Sequence, residues 1–390
     1  MENSIQRTLK INLPQKQSAF LWGPRKIGKS TYLKQKFPKS LVYDFLKTDL
    51  FFNFSKNPQF LREQLLAKSP DQLKEPVILD EVQKIPALLN EVHWLIENKN
   101  IRFILCGSSA RKLKRGHGNL LGGRAWRYEM FPLTTQELGT QTHLLKILNQ
   151  GLIPSHYLQS AANAKKSLFS YTQDYLKEEI FAEGLTRNIP AFSRFFDTLG
   201  YSHTELINYS NIAQDCGVDA KTVKEYFQIL SDTLLGIRIE PFKTRQSRDV
   251  ISKAPKFYLF DTGVSGILTK RTIEEERGSE FGKAFEHFIL MELRAYRSYS
   301  EGLFDIHFWR TKSGYEVDFI LGRGEVAIEV KGTSNADSSD LKGLKKFKEA
   351  HQPKKLFLVC NEKERRLCGD IHILPWKDFL TDLWQGKIIK

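Results

Sequence analysis

GPRKIGKS, residues 23–30, is the stretch on which the fold turns. It fits the pattern G-x-x-x-x-G-K-[ST]. An apolar segment, QSAFLW (17–22), runs into Gly23 as a short buried strand, and a helix is expected from about Lys29 to Gln35. A strand, a tight loop and a helix in that order turn consecutive backbone N–H groups inward at a helix start, where the dipole favours an anion. Glycine at 23 and 28 permits backbone conformations that a Cβ would penalise. The loop Gly23, Pro24, Arg25, Lys26, Ile27, Gly28, Lys29, Ser30 and Thr31 is therefore the expected cradle for the phosphates of a nucleoside triphosphate, ATP. Lys29 is expected to place a cation on the β- and γ-phosphates and Ser30 a hydroxyl on Mg²⁺.

The flanking sequence alternates strand and helix. Residues 40–45 (SLVYDF) read as a second strand, 58–68 as helical, PVILDE (76–81) as a continuous apolar strand, 86–98 as an amphipathic helix and IRFILCGSS (101–109) as another buried strand. Strands apolar on both faces, separated by helices, predict a parallel sheet covered on both sides. VILDE ends in Asp80 and Glu81, and an acid at the carboxyl end of a parallel strand lies over the nucleotide crevice. Asp80 is expected to hold Mg²⁺, directly or through water, and Glu81 to act as general base on the attacking water. Ser108 or Ser109, after the third apolar strand, is the candidate contact to the γ-phosphate or the water; a helix-capping serine is the alternative. In GGRAWRYEMFPLT (122–134), Arg124 is the candidate arginine finger across a subunit interface, with Arg127 as runner-up.

From about 136 to 205 the pattern is helical. IAQDCGVDAKTVKEYFQIL then has helix-turn-helix spacing, with Gly217 at the turn and Thr222 early in the second helix, and LGIRIEPF offers a wing. Lys221, Thr222 and Lys224 are the candidate phosphate-backbone contacts; the same unit also serves as a packing or dimerisation module.

GPRKIGKS, VILDEVQKIP, GSSARKL, GGRAWRYEMFPLT and the tail together resemble a family of prokaryotic AAA-type ATPases whose core is followed by a domain of the DUF4143 type. The resemblance covers nearly the whole chain. It implies Lys29 and Ser30 as nucleotide and Mg²⁺ ligands, Asp80 and Glu81 as the acidic pair, Ser108 as a sensor and Arg124 as the finger.

The tail carries its own carboxylates. GKAFEHFILMEL (282–293) is an apolar helix with Glu286 embedded in it. Asp318 sits in the apolar strand EVDFIL, and GRGE makes the turn into EVAIEVKG, where Glu329 and Lys331 are two apart and share a sheet face. Two carboxylates and a lysine on one face can hold Mg²⁺ and activate water for phosphodiester attack. The D-x(n)-E-x-K arrangement resembles the restriction-endonuclease-like nuclease superfamily, which implies Glu286, Asp318 and Glu329 as metal ligands and Lys331 as the catalytic lysine. Val317 stands before Asp318 where that superfamily frequently has proline. E-x-K is also common on solvated strands.

The expected fold is α/β. A P-loop NTPase core with a parallel sheet spans 1–138, a helical lid or linker 139–205, a winged-helix-like segment 206–248 and a restriction-endonuclease-like α/β domain 249–390. The net charge of +14 favours a polyanionic partner, here DNA. The four cysteines form no CxxC pair and no zinc spacing, so reduced, buried thiols in a cytoplasmic protein are expected. No apolar run approaches the roughly 20 residues of a membrane span. Two functions fit: an ATP-driven enzyme acting on DNA, with a Mg²⁺-dependent nuclease tail, or a nucleotide-driven homo-oligomeric switch whose tail binds a protein partner without cutting.

Overall fold

The computed structural model describes residues 5–109, 121–175, 188–243 and 254–390. The chain divides into two compact units: Arg7–Pro132 with Asp232–Leu234, and the rest.

The first unit is built on five parallel strands: β1 (Ser18–Trp22), β2 (Val42–Asp44), β3 (Val77–Asp80), β4 (Phe103–Gly107) and β5 (Ala125–Glu129). Their order in the sheet is β2-β3-β4-β1-β5. All four pairings are parallel. β1, β3 and β4 are buried along their whole length, as their unbroken apolar sequences require. The edge strands β2 and β5 are partly exposed. Helices α1 (Lys29–Lys36), α2 (Thr48–Lys56), α3 (Phe60–Leu66) and α4 (Leu88–Lys99) connect them. α4 buries Leu88, Leu89, Val92, Leu95 and Ile96, a spacing of three and four that lays one stripe on the core. α2 and β5 are not foreseen in the sequence. α2 has only Phe54 buried although it carries three Phe, and β5 is exposed at Trp126, so neither shows a clean apolar period. Phe20, Phe45, Phe54 and Phe103 are at most 1% exposed and fill the core. Burying each contributes about 1.5–3 kcal/mol.

In the second unit, α5 (Leu144–Gln150), α6 (Ala161–Ser170) and α7 (Ile189–Thr198) lie in the stretch read as helical. α8 (Tyr209–Cys216) and α9 (Ala220–Asp232) follow, with Gly217 between them in the left-handed region at φ 65°. Asp219 Oδ1 accepts the Thr222 N–H at 2.7 Å, satisfying one of the orphan donors at the start of α9. Val223, Tyr226, Phe227 and Leu230 turn one face of α9 into a shared core with α7 and α8. β6 (Gly236–Ile239) comes next and pairs antiparallel with β7 (Lys256–Leu259) in a two-stranded sheet. KFYL thus pairs with GIRI and stays out of the larger sheet.

After α10 (Thr262–Leu268) and the long α11 (Ser279–Tyr299), the chain forms a six-stranded mixed sheet in the order β12-β13-β11-β10-β9-β8. Its strands are β8 (Ile306–Arg310), β9 (Glu316–Leu321), β10 (Val326–Val330), β11 (Lys355–Cys360), β12 (Arg366–Cys368) and β13 (Ile371–Pro375). β8, β9 and β10 are antiparallel neighbours; β10, β11 and β13 run parallel. The parallel step from β10 to β11 is made through α12 (Lys342–His351), and α13 (Trp376–Trp384) closes the chain. One apolar cluster packs the sheet with α11 and α13, the other with α12. All four cysteines are free, three of them buried. Among the described residues, no helix is long and apolar enough to cross a membrane.

Candidate functional site

The phosphate loop leaves the carboxyl end of β1, the strand adjacent to both β4 and β5. A Cβ on Gly23 would come within 2.4 Å of Ile27 Cδ1 and 2.5 Å of the Met130 carbonyl. Gly28, at φ 94°, caps α1 in the left-handed region. Ile27 is fully buried, and its carbonyl accepts from Arg7 Nη1 at 2.7 Å, while Arg7 Nη2 bonds the Phe131 carbonyl at 2.6 Å. Arg7, which the sequence reading does not single out, so ties the loop to the end of β5. Lys26, Ser30 and Thr31 are exposed. The Lys29 ammonium is buried and donates to the carbonyls of Gly23 at 2.6 Å and Pro24 at 2.8 Å.

Ser30 Oγ donates to Asp80 Oδ2 at 2.6 Å, across 50 residues of sequence. Asp80 Oδ1 accepts the Glu81 N–H at 3.1 Å. Glu81 is buried and held in the left-handed region at φ 58°. Such strain in a non-glycine residue collects at functional sites. Burial raises the Glu81 pKa; Arg25 and Lys29 act against that and Asp80 adds to it. Arg25 Nη2 lies 3.5 Å from Glu81 Oε2. The same oxygen accepts from Gln83 Nε2 at 2.6 Å, and Gln83 Nε2 also donates to Ser108 Oγ at 3.1 Å. Gln83 is 3% exposed and packed so closely that a Cβ on Gly107 would fall 2.2 Å from its Oε1. Lys29, Ser30, Asp80, Glu81 and Ser108 are thus brought together. Gln83 is the member that sequence reasoning missed; its signal is a polar residue two positions after the acidic pair.

The hydroxyl of Ser30 and the carboxylate of Asp80 are hard oxygen donors, already within hydrogen-bond distance of each other. That is the donor chemistry Mg²⁺ selects, with waters and phosphate oxygens completing its shell. These residues fit the ion.

Arg124 precedes β5, whose first residue, Ala125, lies opposite Ser18 at the start of β1. It therefore sits at the amino edge of a parallel sheet whose carboxyl edge carries the phosphate loop. Its guanidinium pairs with Glu97 near the end of α4. Arg127 is exposed on β5 itself. Neither is gathered with the loop residues.

In the second unit Glu286 and Asp318, joined by Glu316, converge around the ammonium of Lys256, whereas Glu329, expected beside them as a metal ligand, pairs with Lys331. Lys256 Nζ lies 2.6 Å from Glu316, 3.2 Å from Glu286 and 3.7 Å from Asp318. Tyr258 donates to the same Glu286 oxygen at 2.5 Å. Asp318 Oδ2 accepts the Val330 N–H at 2.8 Å. Lys331 pairs with Glu329 at 2.6 Å. Burial works to lower the Lys256 pKa, but Glu286, Tyr258, Asp318 and Glu316 outweigh it and keep the ammonium charged. Burial raises the Glu286 pKa to about 7 and that of Glu329 well above the carboxylate range. Glu329 Oε2 is buried without a hydrogen-bond partner. Among the described residues, no group of three or more His, Cys, Asp or Glu side chains is placed to hold a metal ion. Lys256 has no sequence signal beyond its place at the head of an apolar strand.

On α9, Lys221 and Lys224 are exposed and Thr222 is half-buried. Lys224 Nζ lies 5.3 Å from the centre of the Tyr209 ring.

Comparison with known proteins follows this division. Residues 15–139 match the AAA domain family, 141–275 a domain of unknown function (DUF8612), and 281–379 a domain of unknown function (DUF4143). Two uncharacterized proteins, one of Mycobacterium bovis and one of Mycobacterium tuberculosis, are each 25% identical over 332 residues, which is 82% of this chain and 71% of theirs. Among solved structures, the Walker-type ATPase PABY2304 of Pyrococcus abyssi aligns with a TM-score of 0.41 at 14% identity, over 64% of this chain and 90% of its own. The Aeropyrum pernix Orc1 protein, solved in complex with DNA, aligns with a TM-score of 0.30 at 11% identity, over 65% of this chain and 86% of its own.

Proposed function

Since this chain is an AAA-type ATPase protein with a C-terminal DUF4143 domain, we propose that it binds ATP with Mg²⁺, hydrolyses it, and uses the turnover to act on DNA. The observation that carries the reading is the Ser30–Asp80 hydrogen bond at 2.6 Å, with the strained Glu81 next in the chain. A hydroxyl and an acid from distant segments are held together where the loop ends.

Each residue then has a task. Lys29 exchanges its two loop carbonyls for phosphate oxygens. Ser30 and Asp80 would hold Mg²⁺, which would offset the negative charge on the β- and γ-phosphates. Glu81 accepts a proton from water as the water oxygen bonds to the γ-phosphorus and the bond to the leaving ADP oxygen breaks. Gln83 and Arg25 both engage Glu81 Oε2, leaving Oε1 as the proton acceptor. Ser108, tied to the same amide, reports the γ-phosphate. Arg124 stands at the far edge of its own sheet, so the γ-phosphate it serves belongs to another copy of the chain, and the working form is a homo-oligomer. Four unpaired thiols fit the cytoplasm.

Action on DNA is supported by the charge of +14 and by the exposed Lys221 and Lys224 of a helix-turn-helix, the winged-helix-like part of the second unit. The order of α11, three antiparallel strands, α12 and a parallel strand supports a restriction-endonuclease-like tail. The deciding experiment measures ATP turnover and nucleotide binding for the intact protein, Lys29→Ala and Glu81→Gln, with and without DNA. Turnover is expected to need Mg²⁺ and to vanish in both variants, with binding lost only in Lys29→Ala. DNA is expected to stimulate the intact protein, less so as salt rises. An intact protein that binds no ATP ends the reading; one that no DNA stimulates ends its DNA part.

A further inference from the structure

We propose that Lys256 is the resident cation of the tail's carboxylate cluster, standing where a nuclease-like domain would take a divalent ion, so that this domain does not cleave phosphodiesters.

The cluster is assembled from three elements. Lys256 comes from β7, Glu286 from α11, and Glu316 and Asp318 from β9. The lysine side chain is 6% exposed, and its ammonium also lies 5.7 Å from the centre of the Phe308 ring. A buried ammonium is costly unless it is paired and hydrogen-bonded, and here three carboxylates meet that need. They are correspondingly occupied. Glu286 Oε1 accepts from both Lys256 and Tyr258; Asp318 turns Oδ1 toward Lys256 and Oδ2 to the Val330 N–H. Mg²⁺ requires six oxygen ligands in a tight octahedron, and an adjoining fixed ammonium would repel it. Lys331, the lysine of the E-x-K pattern, pairs with Glu329 at 2.6 Å.

The cluster also has mechanical work. β7 pairs with β6, the strand that follows the helix-turn-helix, so Lys256 clamps that segment to β9 and α11. This inference stands apart from the ATP reading, since it concerns ATP-free protein and residues of the other unit.

The test is Mn²⁺ binding, followed by electron paramagnetic resonance, in full-length nucleotide-free protein carrying Asp80→Asn to remove the metal ligand at the phosphate loop. With Lys256 intact, Mn²⁺ uptake should equal that of the same protein bearing Asp318→Asn. Lys256→Ala should gain one bound Mn²⁺ and lose it again when Asp318→Asn is added. Uptake with Lys256 intact that Asp318→Asn abolishes would overturn the proposal. So would a folded Lys256→Ala protein that takes up no ion, or metal-dependent DNA cleavage by the intact chain that Lys331→Ala removes. If Lys256→Ala does not fold, the comparison made with Lys256 intact decides alone.

Discussion

Gln83 donates one side-chain amide to Glu81 Oε2 at 2.6 Å, and the same nitrogen reaches Ser108 Oγ at 3.1 Å. The acid at the end of β3 and the serine at the end of β4 are therefore read by a single group. On the proposed reading, a shift of Ser108 toward a bound phosphate would pull on the bond that holds Glu81. Gln83→Leu should lower the ATP turnover number about 10- to 100-fold and leave ATP affinity within about 2-fold, because positioning of a base is lost and the phosphate cradle is not. A parallel loss of affinity, read by fluorescent-nucleotide titration, would show that Gln83 only supports the loop.

Arg124 pairs with Glu97 at the sheet edge away from its own phosphate loop. Arg124→Ala should bind ATP normally and lose at least about 10-fold in turnover, at the modest end of what an arginine finger supplies. Mixing Arg124→Ala with Glu81→Gln protein should restore part of the rate, since each supplies what the other's site lacks. Two inactive proteins that stay inactive when mixed would place the arginine's role inside one chain, or nowhere in catalysis.

Lys221 and Lys224 are solvent-facing charges on α9. If they meet phosphates, replacing both by alanine should weaken DNA binding equally for all sequences. The slope of log affinity against log salt should fall by about 1 for each lysine. Fluorescence anisotropy at several salt concentrations measures it; an unchanged slope assigns the helix to packing.

His203 and His287 are buried with ring centres 4.5 Å apart. Burial drives the His287 pKa down to about 3, with Arg271 adding to the fall and the Leu259 carbonyl opposing it. Burial likewise holds His203 well below its ordinary value, helped by His287, Arg271 and Lys283. Both rings are neutral when folded but gain protons near pH 6.5 when unfolded. Their contribution to stability is present above pH 6.5 and is lost as pH falls below it. The loss is about 1.4 kcal/mol per pH unit for each ring. The denaturant midpoint should therefore drop more steeply between pH 6.5 and 5 in the native protein than in His287→Gln, whatever the variant costs at pH 8.

Much of the candidate nucleotide site was legible because its parts are short and local. GPRKIGKS encodes a turn, a left-handed glycine and a helix start within eight residues, and VILDE places its acids at a strand end by length alone. The tail strands were legible for the same reason, being short apolar runs joined by the four-residue turn 322–325. Gln83 was hidden because nothing in EVQK says that its amide, rather than a surface glutamine's, will be buried against Ser108, 25 residues away.

The sequence by itself thus determined the phosphate loop from Gly23 to Ser30 and the acids that face it, since backbone conformation and strand ends are set by near neighbours. Only the tertiary structure decided what surrounds the second set of carboxylates. Lys256 is 30 residues from Glu286 and 62 from Asp318. An ammonium is drawn into a buried acidic cluster by desolvation and charge, forces that depend on distance in space and leave no period or spacing in the chain.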